Sequence, residues 1–246
     1  AEGLTPGDLG MAREVVAALG GLCTIHAEEV SAGLDSDLHS HHALRTPEGE
    51  ARAVRRVMDL NTSGCRLHFC HMSCPGSIRN ACNSTVEATP HHLFLSLEDF
   101  SSPDARGKVN PPLRPVPVRM ELLSTWDRID VLASDHAPHT VPEKARPFER
   151  APSGIPGVET MVPLALAYCR AKQIPLSSLI EKTSWKPCEI LGIKRAGFQV
   201  GDRADFAIYP PGDVAIEADM LHSMAGWTPF EGKRAVFPGT VIMDGA

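Results

Sequence analysis

Short apolar runs alternate with amphipathic stretches along most of the chain. Four runs have the length and the apolar content of buried strands: 22–25, 66–70, 85–88 and 131–134. Apolar residues at helical spacing predict helices in six places: one with Thr5 as N-cap and Pro6 at its first position, one capped by Thr46, and others at about 74–82, 117–128, 156–172 and 177–191. Pro187 is expected to interrupt the last of these helices. This alternation predicts an α/β fold with a parallel sheet and crossover helices.

The pattern changes towards the end of the chain. Strand-like segments at 204–209 and 235–243 follow one another without a long helix between them. We therefore divide the chain into an α/β unit at 1–195 and a small antiparallel unit at 196–246.

Composition narrows the class of protein. A net charge of -6 and the lack of a basic run argue against a nucleic-acid partner. No apolar run reaches the roughly 18 residues of a membrane-spanning helix. The seven cysteines follow no disulfide framework, and the first residues lack the apolar core of a signal peptide. We therefore expect reduced thiols, a cytoplasmic location and no membrane partner.

Three of the predicted strands are followed closely by a possible metal ligand, namely His26, His71 and Asp135. In a parallel α/β barrel, active-site residues come from the carboxyl ends of several different strands. Imidazole and carboxylate groups are ordinary ligands of zinc, and burying a carboxylate is costly unless it is paired or bound to a metal. The pattern favours a metal site in which Asp135 is also the general base. Two alternatives are that each histidine is a satisfied core or surface residue, and that Cys70, His71 and Cys74 form part of a zinc finger.

Several segments together resemble the cyclic amidohydrolases: CTIHAEE, FCHMS, VEATPHHL, KVNPPLR, ASDHAPH and SGIPGVET. The resemblance is closest to the dihydroorotases, and it extends to GDRADFAIY and TPFEGKRAVFPGTVIMDG near the end of the chain. It implies a (β/α)8 TIM-type barrel, here without its first strands, together with part of a small β-sandwich at 196–246. It further implies one or two zinc ions and reversible hydrolysis of dihydroorotate to N-carbamoyl-L-aspartate in pyrimidine biosynthesis.

The resemblance also assigns roles to single residues. His26 and His71 match metal ligands at the ends of the fifth and sixth strands, and Asp135 matches the ligand and general base of the eighth. Four residues match positions that contact the substrate: Asn110, His139, Ser153 and Gly154. The alternative for Asn110 is a turn residue before two prolines.

Other histidines are expected to have lesser roles. His91 and His92 match the end of the seventh strand, where we expect a structural or supporting role. The segment LDSDLHSHHALRTPEGE, with His39, His41 and His42, is expected to be a solvated loop.

The chain departs from the family pattern at its front. The family's first His-x-His strand end, a nearby arginine and a fourth-strand bridging residue have no match, and His39-Ser40-His41 follows no apolar strand. We therefore expect the chain to be the carboxyl-terminal two-thirds of such an enzyme, with the N-terminal part of the same barrel as its partner. The isolated chain is then expected to be inactive.

Other functions are compatible with the same residues. A small-molecule substrate is expected in each enzymatic reading, and allantoinase or hydantoinase activity is the rival within that class. A scaffold that kept the barrel and lost the chemistry is the rival outside it. A homo-oligomer is left open.

Overall fold

Four parallel strands form the centre of the α/β unit. The computed structural model describes residues 6–245, so the predicted cap at Thr5 lies outside the described residues. The strands are β1 (Leu22–Ile25), β2 (Arg66–Phe69), β3 (Thr85–Ala88) and β4 (Val131–Leu132). They lie side by side in chain order, and every pairing is parallel. The predicted parallel sheet is confirmed, and the carboxyl ends of all four strands lie at one edge.

Helices surround the sheet. The described residues form ten α-helices: α1 (Pro6–Ala18), α2 (Leu38–Leu44), α3 (Pro47–Leu60), α4 (Pro75–Asn80), α5 (Pro90–Phe94), α6 (Val116–Ser124), α7 (Val141–Lys144), α8 (Met161–Arg170), α9 (Leu176–Ile180) and α10 (Lys186–Leu191). Short 3-10 turns cover Leu97–Asp99, Ala105–Gly107, Trp126–Arg128 and Ala218–Met220. No helix among the described residues is long and apolar enough to cross a membrane.

Helix α3 begins as its sequence predicts. The Thr46 side chain accepts a hydrogen bond from the Gly49 amide at 3.1 Å, and Pro47 takes the first helical position. Such a cap satisfies a backbone N–H that has no partner within the helix. Val54 and Val57 on the inner face of α3 are buried against the core.

The expectation of a loop before α3 is wrong, because α2 forms there. The Ser40 amide donates to Asp37 Oδ1 at 2.7 Å, and the Asp37 amide donates to Ser40 Oγ at 2.9 Å. This reciprocal cap starts the helix, and Leu38 and His41 are its buried residues. The polar residue His41 therefore faces inward beside Leu38, so the helix has no apolar stripe by which the sequence could have predicted it.

The predicted helix at 177–191 forms in three parts. Helix α9 continues into a π-helical turn at Glu181–Trp185 and then into α10. Pro187 lies in the first turn of α10 and cannot donate a backbone hydrogen bond. The interruption therefore takes the form of a widened turn just before the proline.

The core lies between the sheet and its helices. Phe69 of β2, Ala88 of β3, Val54 of α3 and Leu122 of α6 have no solvent exposure. Burying a large apolar side chain contributes roughly 1.5–3 kcal/mol, so this cluster holds the strand ends in place.

The end of the chain forms two antiparallel pairs. Strand β5 (Phe206–Ile208) pairs with β8 (Thr240–Ile242), and β6 (Val214–Ala215) pairs with β7 (Arg234–Ala235). The closed barrel and the small β-sandwich both go beyond these described sheets and stay predictions.

Candidate active site at the strand ends

Two predicted ligands meet at the carboxyl ends of neighbouring strands. His26 follows β1 directly and His71 comes two residues after β2. Their Nδ1 and Nε2 atoms are 2.9 Å apart, with the rings edge to face. His71 is buried, and its own Nδ1 has no hydrogen-bond partner. Two ring nitrogens that point at each other need a proton or a cation between them.

Asp135 lies close enough to both rings for them to affect its pKa. Burial raises the pKa of Asp135, whereas the nearby His71 and His26 lower it and Glu87 raises it further. Burial and His26 lower the pKa of His71. Asp135 Oδ2 also lies 4.0 Å from Nε2 of His91. The structure therefore brings His26 and His71 into contact and places Asp135 in electrostatic range of them.

Both His71 and Asp135 have strained backbones. Their φ angles are 40° and 45°, in the left-handed region that few residues other than glycine adopt. Such conformations cost about 1–3 kcal/mol each and are concentrated at functional sites. Two strained residues at the predicted ligand positions mark this edge of the sheet as the candidate site.

Glu87 supports the strained residue His71, and the sequence analysis missed it. Its Oε1 accepts a hydrogen bond from the His71 amide at 3.1 Å. Its Oε2 accepts one from His68 Nε2 at 3.1 Å, and His68 Nδ1 in turn accepts from Thr85 at 2.8 Å. A glutamate within the short strand VEA was the available signal, because such a carboxylate needs partners.

His91 and His92 are buried under the same edge. His92 Nε2 donates to the Pro111 carbonyl at 2.9 Å, and its Nδ1 accepts from Thr89 at 2.9 Å. His91 Nε2 has no hydrogen-bond partner. Burial lowers the pKa of His91 to about 3, so its ring is neutral at pH 7.

The structure gathers three of the four predicted substrate contacts. His139 Nε2 donates to the Ser153 carbonyl at 3.1 Å, and the Gly154 amide donates to the Lys108 carbonyl at 2.9 Å. Asn110 lies two residues beyond Lys108, and its buried Oδ1 has no hydrogen-bond partner. An unpartnered amide oxygen suits a residue that binds a ligand.

The expectation that His41 is solvated is wrong. His41 is fully buried: its Nε2 donates to the Val109 carbonyl at 2.9 Å, and its Nδ1 lies 2.9 Å from Asp35. Polar contacts then continue from Asp35 to His26 through Arg45 and Glu28. This network links the two-histidine contact to the segment that carries Asn110.

The donor types fit a zinc site, but the described residues do not complete one. His26 and His71 offer two ring nitrogens at one point, and His91 offers a third without a partner. Among residues 6–245, however, no group of three or more histidine, cysteine or carboxylate side chains has the arrangement of a metal site. Burial raises the pKa of Cys70 to about 12 and that of Cys74 to about 11.

The chain is similar to known dihydroorotases over most of its length. It is 41% identical to the dihydroorotase of Halobacterium salinarum over an alignment of 240 positions, gaps included, that covers 90% of this chain and 57% of that one. It is 42% identical to that of Methanosarcina acetivorans over an alignment of 255 positions, gaps included, that covers 92% of this chain and 55% of that one. This chain is a homologue of the dihydroorotases. It spans little more than half the length of these dihydroorotases. No protein-family model matches the chain.

Solved structures of similar fold are also found for this chain. A D-hydantoinase from Bacillus sp. AR9 has a TM-score of 0.90 and 24% identity, covering 99% of this chain and 60% of that one. The L-hydantoinase of Arthrobacter aurescens has a TM-score of 0.86 and 25% identity, covering 100% and 62%. At such identity the likeness establishes the fold and not the substrate.

Proposed function

We propose that this chain is part of a zinc-dependent cyclic amidohydrolase that converts dihydroorotate reversibly to N-carbamoyl-L-aspartate in pyrimidine biosynthesis. The observation that carries the proposal is the contact of His26 with His71 at the strand ends, in a homologue of dihydroorotases. A cytoplasmic enzyme is consistent with the seven unpaired cysteines.

The proposed reaction assigns a task to each group. His26, His71 and Asp135 would hold zinc, which supplies the Lewis acidity that activates a water and polarises the ring carbonyl. Asp135 takes a proton from the attacking water and returns it to the ring nitrogen as the amide bond breaks.

The substrate would be held by groups on the other side of the site. The Asn110 side chain can both donate to and accept from the ureide edge of the ring. His139 and the backbone of Ser153 and Gly154 can donate to the substrate carboxylate or a carbonyl. None of these groups needs zinc for its contact with the substrate.

The remaining ligands and strands would come from the N-terminal part of the same barrel. Strand β1 is paired only with β2 among the described strands, so its outer edge has unpaired backbone groups. Helix α1 beside it exposes Met11 and Val15, and Leu19, which directly follows the helix, is exposed as well. A further strand and helix would cover both features, which supports residues 1–195 as part of a barrel. The antiparallel pairs β5–β8 and β6–β7 support 196–246 as part of a small β-sandwich.

The test is the Asp135→Asn variant of the intact protein. The loss of a general base is expected to lower turnover of dihydroorotate by about 10²–10⁴-fold. Zinc bound per chain, measured by mass spectrometry of metals, should be at least partly retained, whereas His71→Ala should lose it. Full turnover by Asp135→Asn, or full turnover after removal of all metal, would refute the proposal.

Hydantoinase-type activity is the second candidate, because the solved structures of similar fold are hydantoinases. Turnover of dihydroorotate, hydantoin and allantoin by the intact protein distinguishes the two candidates. A protein that binds no metal and opens none of these rings would instead be a scaffold.

A further inference from the structure

Two buried lysines beside the site have backbone carbonyls as partners instead of carboxylates. Lys108 and Lys144 are 6% and 4% exposed, and within residues 6–245 the hydrogen bonds of their ammonium groups go to backbone carbonyls. A buried ammonium group is costly unless each of its N–H groups is hydrogen-bonded. The carbonyls that satisfy these lysines therefore identify what the lysines hold in place.

The acceptors converge on one loop. Lys144 Nζ donates to the carbonyls of Pro152 and Gly154, each at 2.9 Å, and to that of Lys108 at 3.2 Å. Lys108 Nζ donates to the carbonyls of Phe148 and Ala151 at 2.7 and 3.1 Å. We call residues 151–154 the substrate loop. Lys144 joins this loop to the segment that leads to Asn110.

The same loop reaches His139. The Ser153 carbonyl accepts a hydrogen bond from His139, whose own carbonyl accepts one from the Trp227 indole at 2.7 Å. The Lys144 ammonium lies 5.8 Å from the centre of that Trp227 ring. The substrate loop and His139 are thus held by one connected set of contacts, with Lys144 at its centre.

We propose that Lys144 is a positioning residue that holds the backbone of the substrate loop in place to receive the substrate, and that Lys108 assists it. The proposal rests on the proposed function, because the contact of the loop with the substrate is part of that function. Lys144 does not touch the substrate in this proposal. It acts through the loop.

The charge state of Lys144 should decide the order of the loop. An ammonium group has three N–H donors for its three carbonyl acceptors, whereas a neutral amine has two donors and a lone pair that repels the third carbonyl. Burial and the neighbouring Lys108 lower the pKa of Lys144 to about 8, and Asp104 opposes this shift. The substrate loop should therefore loosen as the pH rises through about 8.

The effect of the same titration on the whole protein has the opposite sign. Between pH 8 and the unfolded value near 10.5, the unfolded chain binds more protons at this lysine than the folded chain does. The free energy of unfolding contributed by Lys144 therefore increases with pH in that window. General destabilisation would loosen the loop and lower the free energy of unfolding together. A loop that loosens while the contribution of Lys144 to the free energy of unfolding increases therefore indicates a local effect.

The experiment compares Lys144→Met with Lys182→Met in the intact protein. Lys182 is a matched control, because it is also buried, donates to the Ile129 carbonyl and lies over a tryptophan ring, Trp126, away from the loop. Lys144→Met should raise KM for dihydroorotate by about tenfold or more, as expected for the loss of a charge-assisted hydrogen bond, and should change kcat less. Lys182→Met should leave KM unchanged.

Hydrogen exchange tests the positioning without any turnover. The amides of Ala151, Ser153 and Gly154 in the substrate-free protein should exchange faster in Lys144→Met and at the wild-type rate in Lys182→Met. Wild-type exchange in Lys144→Met would overturn the proposal, even in an active enzyme. Faster exchange with unchanged KM would overturn the link from loop to substrate.

Two further results keep the tests separate. A wild-type protein inactive on dihydroorotate would refute the proposed function, while the exchange rates would still decide the role of Lys144. If Lys144→Met does not fold, Lys108→Met and the wild type at pH 7 and pH 9 replace it. Equal protection of 151–154 at both pH values, after correction for intrinsic exchange, would overturn the proposal.

Discussion

At the scale of single residues, the candidate site depends on unusual backbone conformations. His71 and Asp135 adopt left-handed φ angles, and the Glu87 carboxylate holds the His71 amide in place. Gly154 has a φ of 129°, a conformation that residues with a side chain rarely adopt. These residues aim their groups at the same edge of the sheet because the surrounding contacts hold them there.

Gly154→Ala should therefore displace the substrate loop. An added Cβ would lie 2.7 Å from both Cβ and the carbonyl oxygen of Ala137, and 3.2 Å from His139 Nε2. Backbone strain of this kind costs about 1–3 kcal/mol, so the free energy of unfolding should fall by that amount. Urea denaturation of this variant measures the change.

Gly212→Ala is the matched control for this prediction. An added Cβ at Gly212 meets nothing within 4 Å, and the change in stability should stay within about 0.5 kcal/mol. Equal losses in the free energy of unfolding for the two substitutions would show that the close approach of Gly154 to Ala137 does not determine the effect of Gly154→Ala.

At the scale of elements, a buried ion pair joins helix α3 to the segment before α6, and the same arginine also binds the loop after β2. Arg114 Nη2 donates to Glu50 Oε2 at 3.0 Å, and both side chains are almost fully buried. Arg114 Nε also donates to Ser73, two residues after His71, at 2.9 Å. The pair therefore fixes the loop that carries a predicted metal ligand.

Glu50→Gln should destabilise the protein strongly. The substitution leaves the Arg114 charge buried without a compensating charge, which typically costs about 3–5 kcal/mol. The urea midpoint should fall with little change in slope. The control is Glu121→Gln, which breaks an exposed pair with Arg79 and should cost less than about 1 kcal/mol. A loss below 1 kcal/mol in Glu50→Gln would contradict this view of the pair.

The strands could be predicted because each is a short apolar run followed closely by a polar residue. The contact of His26 with His71 follows from the same pattern, since both come just after adjacent parallel strands. Helix α2 could not be predicted in this way, because His41 is buried through partners at Asp35 and Val109. Such partners are visible only when the chain has folded.

The lysines of the substrate loop escaped prediction for a related reason. The acceptors of Lys108 Nζ are 40 and 43 residues further along the chain, and all of them are backbone carbonyls. Every residue has a backbone carbonyl, so the sequence does not show which carbonyl will accept a hydrogen bond. A charged partner, in contrast, can be recognised by its residue type. The polar contacts from His26 through Glu28 and Arg45 to His41 were missed because each link depends on the tertiary fold.

At the scale of the whole molecule, the described sheet has an open edge and the site has an incomplete set of donors. Strand β1 has one partner among the described strands, and residues 6–245 hold no group of three metal-binding side chains in a suitable arrangement. A parallel sheet is normally covered on both sides and at its edges. The proposed N-terminal part of the barrel would complete both features with a further strand that ends in metal ligands.

The 246-residue chain alone should therefore fold at least in part but fail to turn over dihydroorotate. Among residues 6–245, no group of three or more histidine, cysteine or carboxylate side chains has the arrangement of a metal site, so the chain alone is not expected to hold the catalytic zinc. The measurement is turnover by the purified chain in the presence of zinc, with circular dichroism to establish that it is folded. A full-length relative such as the Halobacterium salinarum dihydroorotase is the positive control. Turnover by the folded chain at the rate of that control would mean that the described residues already make a complete site, and the argument from the open edge of β1 would fail.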